Sequence, residues 1–561
     1  MQATEQEASQ EEAARRAVHV PSDRRFRIWI EPWVIFGVCV AIAAAIAAAW
    51  IELAMFGLPA AVALPANPSL IPGPHGFPLW LRICHFLTFL FLALLVRSGL
   101  SILWDHPRLY FNDDCTPGSE WIRFTPLKVP RDRVWTAKDD SRYLTPWVGT
   151  PGRRHTVGLA RVWHFINVHG FLGTGIVFLV LLFVTGQWQR IVPTSPHVLG
   201  GAWTTWVHYA TLHMPPEPNG FYTYNPLQQI AYFAVVFILA PLALATGVAM
   251  SPAVVNRFPW YARVFGGRQS ARSIHFLTML SFVAFFIPHV TLVAITGFTR
   301  NMNHIVMGTD NLKPIGMELG YVGIGVVVLS WVLAHYLSWH HPRRLQHALK
   351  TVTYPMQLLT LDRLHPAEKY TEEQISPYFW PNGKMPTRED WKRLAADDFA
   401  AFRLKITGLV KHPVELSLSE LAALGEVEHI TMHHCIQGWT GIAKWGGIPM
   451  RRLMDLVEPL PEAKVVAFYS FGDGLFGGSY YDTQSLENVD KSECMLALRM
   501  NGKRLPEVYG APLRLRVENQ LGYKMVKWIE RIEFVTSEKL LGKGEGGKNE
   551  DDEYFDLLPN I

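Results

Sequence analysis

Charge and cysteine are both scarce in this 561-residue chain. Asp, Glu, Lys and Arg make up 18% of it, whereas a soluble domain carries about 25%. Hydrophobic residues account for 49% and aromatic residues for 12%. The formal net charge is only +4 and no Lys/Arg block occurs, which excludes an electrostatic nucleic-acid binder. There are five cysteines, an odd number. Cys39 and Cys84 fall in apolar runs, Cys115 in a loop, and Cys435 and Cys494 towards the C-terminus. That pattern excludes a disulfide framework and a paired Cys-x-x-Cys zinc site. At this length two or three domains are expected, and the low charge places part of the chain in lipid.

Six apolar runs approach or exceed the roughly 20 residues that span a bilayer. They are Trp33–Phe56, Leu79–Leu103, Val162–Trp188, Leu227–Met250, Ile274–Phe298 and Ile315–Leu337. The first follows a polar tail, residues 1–30, and is too long for a signal peptide and without a cleavage site, so it reads as an anchor helix. Arginine alternates between the loops. Arg15, Arg16, Arg24, Arg25 and Arg27 precede the first span, and Arg131, Arg133, Arg153 and Arg154 follow the second. Arg257, Arg263, Arg268 and Arg272 precede the fifth, and Arg343 and Arg344 follow the sixth. The intervening loop 57–78 has no Lys or Arg, loop 189–226 has only Arg190, and loop 299–314 has Arg300 and Lys313. The positive-inside rule then puts both chain ends in the cytoplasm.

Histidine inside a span is costly and usually functional. His275 and His289 are fourteen residues apart on the fifth span, about 21 Å along the axis and about 40° short of the same direction. One helix face thus offers two imidazoles at two depths, and imidazole is a common iron ligand. His85 opens a span that enters from outside, and His164 opens one that enters from the cytoplasm. Depth pairs His164 with His275 on the inner side and His85 with His289 on the outer side. His169, about 7.5 Å deeper than His164, is its rival. His208, His213, His335, His340 and His341 lie at span ends or in loops and read as surface or interface histidines.

The segments "RICHFLTFLFLALLVRSGL", "ARVWHFINVHGFLGTGIVFLVLLFVTG", "YNPLQQIAYFAVVFILAPLALATGVAMSP" and "RSIHFLTMLSFVAFFIPHV" resemble the four core helices of the bacterial di-haem cytochrome b family. Its members include the membrane subunits of formate dehydrogenase, nickel–iron hydrogenase and thiosulfate reductase. The resemblance covers roughly 79–300. It implies that His85, His164, His275 and His289 bind two b haems that exchange electrons with quinone. The first and sixth spans and loop 104–161 are extra to that core.

After residue 345 the character changes. Residues 346–395, with "SPYFWPNGKMP", read as an irregular linker. Short β-type runs such as "VEHITM", "KVVAFYSF" and "LRLRVEN" then alternate with turn signals across 396–540 and include no long apolar run. The fold class is therefore an all-α membrane bundle, residues 31–345, followed by an α+β or mostly β soluble domain. The glycine-rich acidic tail, 541–561, is expected to be mobile.

The soluble domain contains "HHCIQGWTGIAKWGGIP", with Cys435 behind two histidines. Adjacent residues of a strand point to opposite faces, so the three side chains do not converge on a tetrahedral metal. A single thiolate suits a soft metal whose other ligands come from a cofactor. This stretch and "LRMNGKRLPEVYGAPLRLRVENQLGYKMVKWIERIEFV" resemble the sulfite-oxidase-type molybdopterin domain. The resemblance implies that Cys435 binds molybdenum and acts in catalysis, and that Ser470, Arg514, Met525, Val526 and Lys527 contact the pterin cofactor. Arg514 and Lys527 suit its phosphate. Tyr509 and Gln437 depart from the residues that relatives often carry there, so sulfite is not implied as the substrate.

The whole reads as a multi-pass protein of the bacterial cytoplasmic membrane, a molybdenum oxidoreductase fused to its own haem conduit. Mo-molybdopterin and two haem b are its cofactors. Membrane lipid, quinone or quinol and a small oxo-type substrate are its partners. The molybdenum domain is expected on the cytoplasmic side. Two alternatives stand beside it: a quinol-fed reductase of S-oxides or N-oxides, and a non-enzymatic electron-transfer or docking subunit.

Overall fold

The computed structural model describes residues 29–60, 76–124, 129–130, 133–142, 156–213, 220–360, 370–474, 476–555, 557 and 559–561. Most of the polar tail, with its five arginines, lies outside the described residues, as do Arg131, Arg153 and Arg154.

Among the described residues, six helices are long and apolar enough to cross a membrane. They are α1 (Pro32–Phe56), α2 (Leu79–Leu103), α3 (Val157–Val184), α5 (Pro226–Ala249), α6 (Arg268–Ile295) and α7 (Pro314–His340). Their large side chains, among them Phe36, Val180 and Val328, point outward. In water that surface would be an extensive apolar patch; in hydrocarbon it is the matching solvent. A further helix, α4 (His197–Ala210), lies between α3 and α5. It is too short to span and packs on α1, where Trp206 Nε1 donates to the Ala45 carbonyl at 3.3 Å.

Several span boundaries differ from the apolar runs. The third span ends at Val184 because Gly186 adopts φ 72°, and Trp188 falls in a separate 3-10 turn, Gln187–Arg190. The fifth begins at Arg268, not Ile274. Its first turns are polar yet buried, because another part of the chain covers them. Prolines shape the bundle too. In α5, Pro241 removes a ladder donor and the backbone preceding it widens to a π turn, Ala234–Leu239. Pro288 interrupts the ladder of α6 immediately before His289.

At one end of the bundle a small sheet joins β1 (Trp29–Ile30), β2 (Arg108–Leu109) and β3 (Ile122–Arg123), with β3 in the middle. Arg108 is wholly buried there between Asp140 and Glu120, with N···O distances of 2.7 Å to each. Burial of a charge is tolerable only with such pairing. The described residues of loop 104–142 thus form a folded unit on the bundle's end.

Helix α8 (Pro342–Thr360) follows α7 directly, so the front of the expected linker is helical. The soluble domain has two five-stranded sheets. One contains β6 (Val427–His434), β7 (Thr440–Pro449), β10 (Met495–Met500), β11 (Lys503–Arg504) and β12 (Arg514–Arg516). The other runs β5 (Val414–Leu416), β4 (Leu404–Gly408), β13 (Ile529–Val535), β8 (Val465–Asp473), β9 (Ser479–Ser485). All pairings are antiparallel except β13 with β4. Leu404, Ile406, Phe468, Leu496, Leu515 and Phe534 form one fully buried core. Cys494 lies in it. Gly447 is required where β7 meets β10, since a Cβ there would stand 2.1 Å from the Leu496 carbonyl oxygen.

The described residues of the acidic tail include a short helix, α9 (Lys548–Asp552), and pack into the domain. Lys524 is buried, and a buried ammonium must be paired. Glu550 of the tail supplies a carboxylate at 2.7 Å, and Asp482 a second. Phe555 and Ile561 enter the same apolar cluster as Cys435. The tail also reaches the membrane domain: the Glu553 carbonyl accepts from Arg343 Nη2 at 2.8 Å, and the Tyr554 carbonyl from Leu159 N at 3.3 Å.

Candidate functional site

The four span histidines come together in two pairs. The ring centroids of His164 (α3) and His275 (α6) are 6.3 Å apart, and those of His85 (α2) and His289 (α6) are 6.4 Å apart. Two imidazoles that ligate one metal from opposite sides, each through a nitrogen about 2 Å away, have centroids about 6 Å apart. The rings therefore fit axial ligation of haem iron. The inner pair carries a further mark. His164 Nδ1 lies 3.1 Å from Ser98 Oγ, and His275 Nδ1 lies 3.0 Å from Thr246 Oγ1. Each hydroxyl already donates to its own helix, Ser98 to the Leu94 carbonyl at 2.9 Å and Thr246 to the Leu242 carbonyl at 2.6 Å. Each must accept from histidine, so Nδ1 carries the proton and Nε2 keeps its lone pair for a metal. His169 instead places Nδ1 2.6 Å from the Phe165 carbonyl. His208 bonds to the Pro59 and His213 carbonyls, as a structural histidine would.

Cys435 lies just past the end of β6 and is 2% exposed. Burial pushes its free thiol up to about 12. Asn382 Nδ2 stands 3.7 Å from Sγ, and the thiol is 3.8 Å from Gln437 Oε1. The preceding histidines diverge: His433 Nδ1 accepts from Arg516 Nη1 at 3.0 Å, while His434 Nε2 lies 3.0 Å from Asn256 of the membrane domain. Among the described residues no three His, Cys, Asp or Glu side chains form a metal cage.

Two cations beside the thiol lack carboxylate partners. Arg514 is buried and donates to the Tyr509 carbonyl at 3.1 Å, and among the described residues its Nε has no hydrogen-bond partner. Burial, and then Arg516, lowers its pKa to about 9. Lys527 Nζ donates to the Asn382 and Val508 carbonyls. Burial, and then Arg514, holds it well below the usual ammonium value. Uncompensated buried cations are expensive unless an anion joins them, so this cradle fits an anionic cofactor. Ser470 Oγ donates to the Lys527 carbonyl at 2.7 Å and accepts from Gly472 N at 2.9 Å. Met525 and Val526 are buried next to it, the Val526 carbonyl accepting from Leu515 N at 2.8 Å.

Two neighbours of the site escaped the sequence reading. The rear of the expected linker brings Tyr378, Phe379 and Trp380 into the apolar cluster of Cys435. The "YFW" run between two prolines was the available signal, since so much aromatic surface requires burial. The membrane domain is the other. The Gly438 carbonyl accepts from Arg268 Nη1 at 2.8 Å and Gln269 Nε2 at 2.9 Å, both in the first turn of α6. Gln437 Nε2 reaches the Asp105 carbonyl at 3.3 Å and Ser141 Oγ at 2.9 Å. The thiol loop is thus seated on the helix that carries His275.

A bundle with paired histidines, joined to a β-rich domain with a buried thiol and a cationic cradle, defines a membrane-embedded electron carrier fused to an oxidoreductase domain. Residues 76–309 match the family model for prokaryotic cytochrome b561, and residues 392–540 match that for the oxidoreductase molybdopterin-binding domain. The chain joins these two domains; it is a multi-pass membrane protein with a cytochrome b part and a molybdopterin part. A protein of Azospira oryzae with the provisional name protein-methionine-sulfoxide reductase subunit YedZ1 is 37% identical over 25% of this chain and 51% of its own. The protein-methionine-sulfoxide reductase catalytic subunit MsrP of Gluconobacter oxydans is 34% identical over 24% of this chain and 47% of its own. The MsrP of Xanthomonas campestris is 30% identical over 33% and 61%. The chain thus spans about half the length of the curated relatives it matches.

Proposed function

We propose that this protein is a quinol-fed molybdenum reductase of S-oxide substrates, with Cys435 as the protein's molybdenum ligand and two haem b between His85 and His289 and between His164 and His275. One observation carries it: the Cys435–Thr440 loop is hydrogen-bonded to the first turn of the helix whose His275 lies about 9 Å further along. When bound, molybdenum supplies two-electron oxygen-atom chemistry and haem supplies one-electron transfer. The residues do the rest. Arg514, Lys527 and Ser470 hold the pterin cofactor. Gly438 fixes the thiol loop to Arg268 and Gln269. The two histidine pairs would hold the haems that pass electrons from quinol across the membrane. The S-oxide class is taken from the relatives, named as methionine-sulfoxide reductases. A docking-only role would leave the buried cationic cradle without purpose. Dithionite-reduced, purified protein is expected to show its haem reoxidised by dimethyl sulfoxide or free methionine sulfoxide. Haem that stays reduced with every S-oxide tested would refute this reading.

The hydroxyls beside the inner pair make a second test. A hydroxyl that accepts from Nδ1 makes imidazole a stronger donor to ferric iron. Ser98→Ala and Thr246→Ala should each raise the inner haem potential by tens of millivolts, where about 59 mV is tenfold for one electron. The outer haem should not move. Redox titration followed optically checks both, and an inner potential equal to wild type in both variants counts against the pairing.

Loop 104–142, the α5–α6 connection, α8 and the soluble domain share one end of the bundle, and the arginine-rich loops are at that end. The positive-inside rule makes it cytoplasmic. Protease should cleave the soluble domain in inside-out vesicles and spare it in sealed spheroplasts. The reverse pattern would invert the orientation.

A further inference from the structure

Loop 104–142 belongs to the membrane half, yet it forms one wall of the Cys435 site. His106 is wholly buried, and among the described residues both of its ring nitrogens lack a hydrogen-bond partner. Tyr110, also wholly buried, leaves its hydroxyl without one. The two rings are stacked with centroids 5.9 Å apart. His106 also meets Trp380 edge-on at 5.2 Å. Trp380 is two residues before Asn382, whose amide is 3.7 Å from Cys435 Sγ. On the other side, the carbonyl of Asp105, next to His106, accepts from Gln437, whose own oxygen is 3.8 Å from the same sulfur. His106 and Tyr110 are therefore joined to the thiol by two short routes.

Buried polar groups without partners are rare in folded proteins, and each calls for a ligand or a water. Leaving one unpaired is costly. Here two such groups, an imidazole and a phenol, stand side by side. Burial, and then the Arg272 guanidinium, holds His106 well below its ordinary value, so it is neutral. A neutral imidazole offers one N–H donor and the phenol an O–H donor. Arg272 adds positive charge without a carboxylate of its own: its guanidinium donates to the Arg108 and His106 carbonyls, each at 2.8 Å. Two donors beside a cation are suited to an oxygen that carries partial negative charge.

We propose that His106 and Tyr110, from the membrane domain, form the substrate-binding wall of the molybdenum site and hydrogen-bond the oxygen of a small S-oxide. The inference rests on the S-oxide reading above. The overall reaction is the S-oxide plus two electrons and two protons giving the sulfide and water: the sulfur–oxygen bond breaks, sulfur is reduced, and quinol is oxidised through the haems. Because membrane-domain residues cover Cys435, the site takes a free small molecule and not an S-oxide held in a folded protein.

Tyr110→Phe removes only the unpartnered hydroxyl, so folding, haem content and molybdenum content should match wild type. Its KM for dimethyl sulfoxide should rise about tenfold, the worth of one lost hydrogen bond to substrate. His106→Ala should do the same or more. In full-length holoenzyme, dimethyl sulfoxide should perturb the Mo(V) EPR signal of wild type and not that of either variant. Free methionine sulfoxide should turn over much faster than casein oxidised at methionine. Wild-type KM and EPR response in both variants would overturn the wall while leaving the S-oxide function intact. Equal turnover of oxidised casein would overturn the small-substrate restriction. A wild-type enzyme inert to dimethyl sulfoxide and to both methionine sulfoxides would remove the function, and the wall with it.

Discussion

Cys435→Ser is expected to abolish S-oxide turnover, a loss of about a thousandfold or more, while haem content stays at the wild-type value. A serine oxygen is a hard, poorly ionised donor, and a soft metal centre with one protein ligand has no substitute for the thiolate. The histidine pairs belong to a separate core, so the bundle should assemble regardless. Cys494 provides the control. It is buried in the apolar core between the sheets, so Cys494→Ala should keep activity at a small cost in stability. Metal analysis, the Mo EPR signal and the optical spectrum separate these cases. Full turnover in Cys435→Ser would end the molybdenum assignment.

His275→Ala and His289→Ala should each remove one haem, but with unequal consequences. His275 is within two turns of the Arg268 and Gln269 contacts to the thiol loop, so a haem held there would be the one adjoining the soluble domain. Without it, quinol-driven turnover should disappear, whereas reduced methyl viologen, acting directly at the soluble domain, should still support S-oxide reduction. His289→Ala should remove the outer haem and spare the inner one, again blocking quinol but leaving the inner haem reoxidisable by substrate. Haem content by pyridine haemochrome and the two donors decide this. Two haems in both variants would break the pairing.

The membrane half was legible in the sequence because lipid imposes a strict code: length, apolarity and arginine asymmetry locate spans without knowledge of tertiary contacts. Depth arithmetic alone brought His164 to His275 and His85 to His289, and the rings indeed meet. Contacts between the halves were not legible. The polar turn Arg268–Ser273 reads as loop until the thiol loop covers it. "EGGKNEDDEYF" reads as a solvated tail until buried Lys524 claims Glu550. His106 and Tyr110 sit in a stretch with no periodicity, and nothing local marks them as neighbours of a cysteine over three hundred residues away. Such placements depend on long-range packing, which local pattern does not encode.

The folded tail has a consequence for the order of biogenesis. Residues 543–555 leave the ribosome after every group they bind: Lys524 and Tyr481 in the soluble domain, and Leu159 and Arg343 beside the membrane. Until they arrive, Lys524 lacks one of its two carboxylates and the two halves lack that clasp. The nascent soluble domain therefore passes through an interval in which it is translated but not yet fastened over loop 104–142.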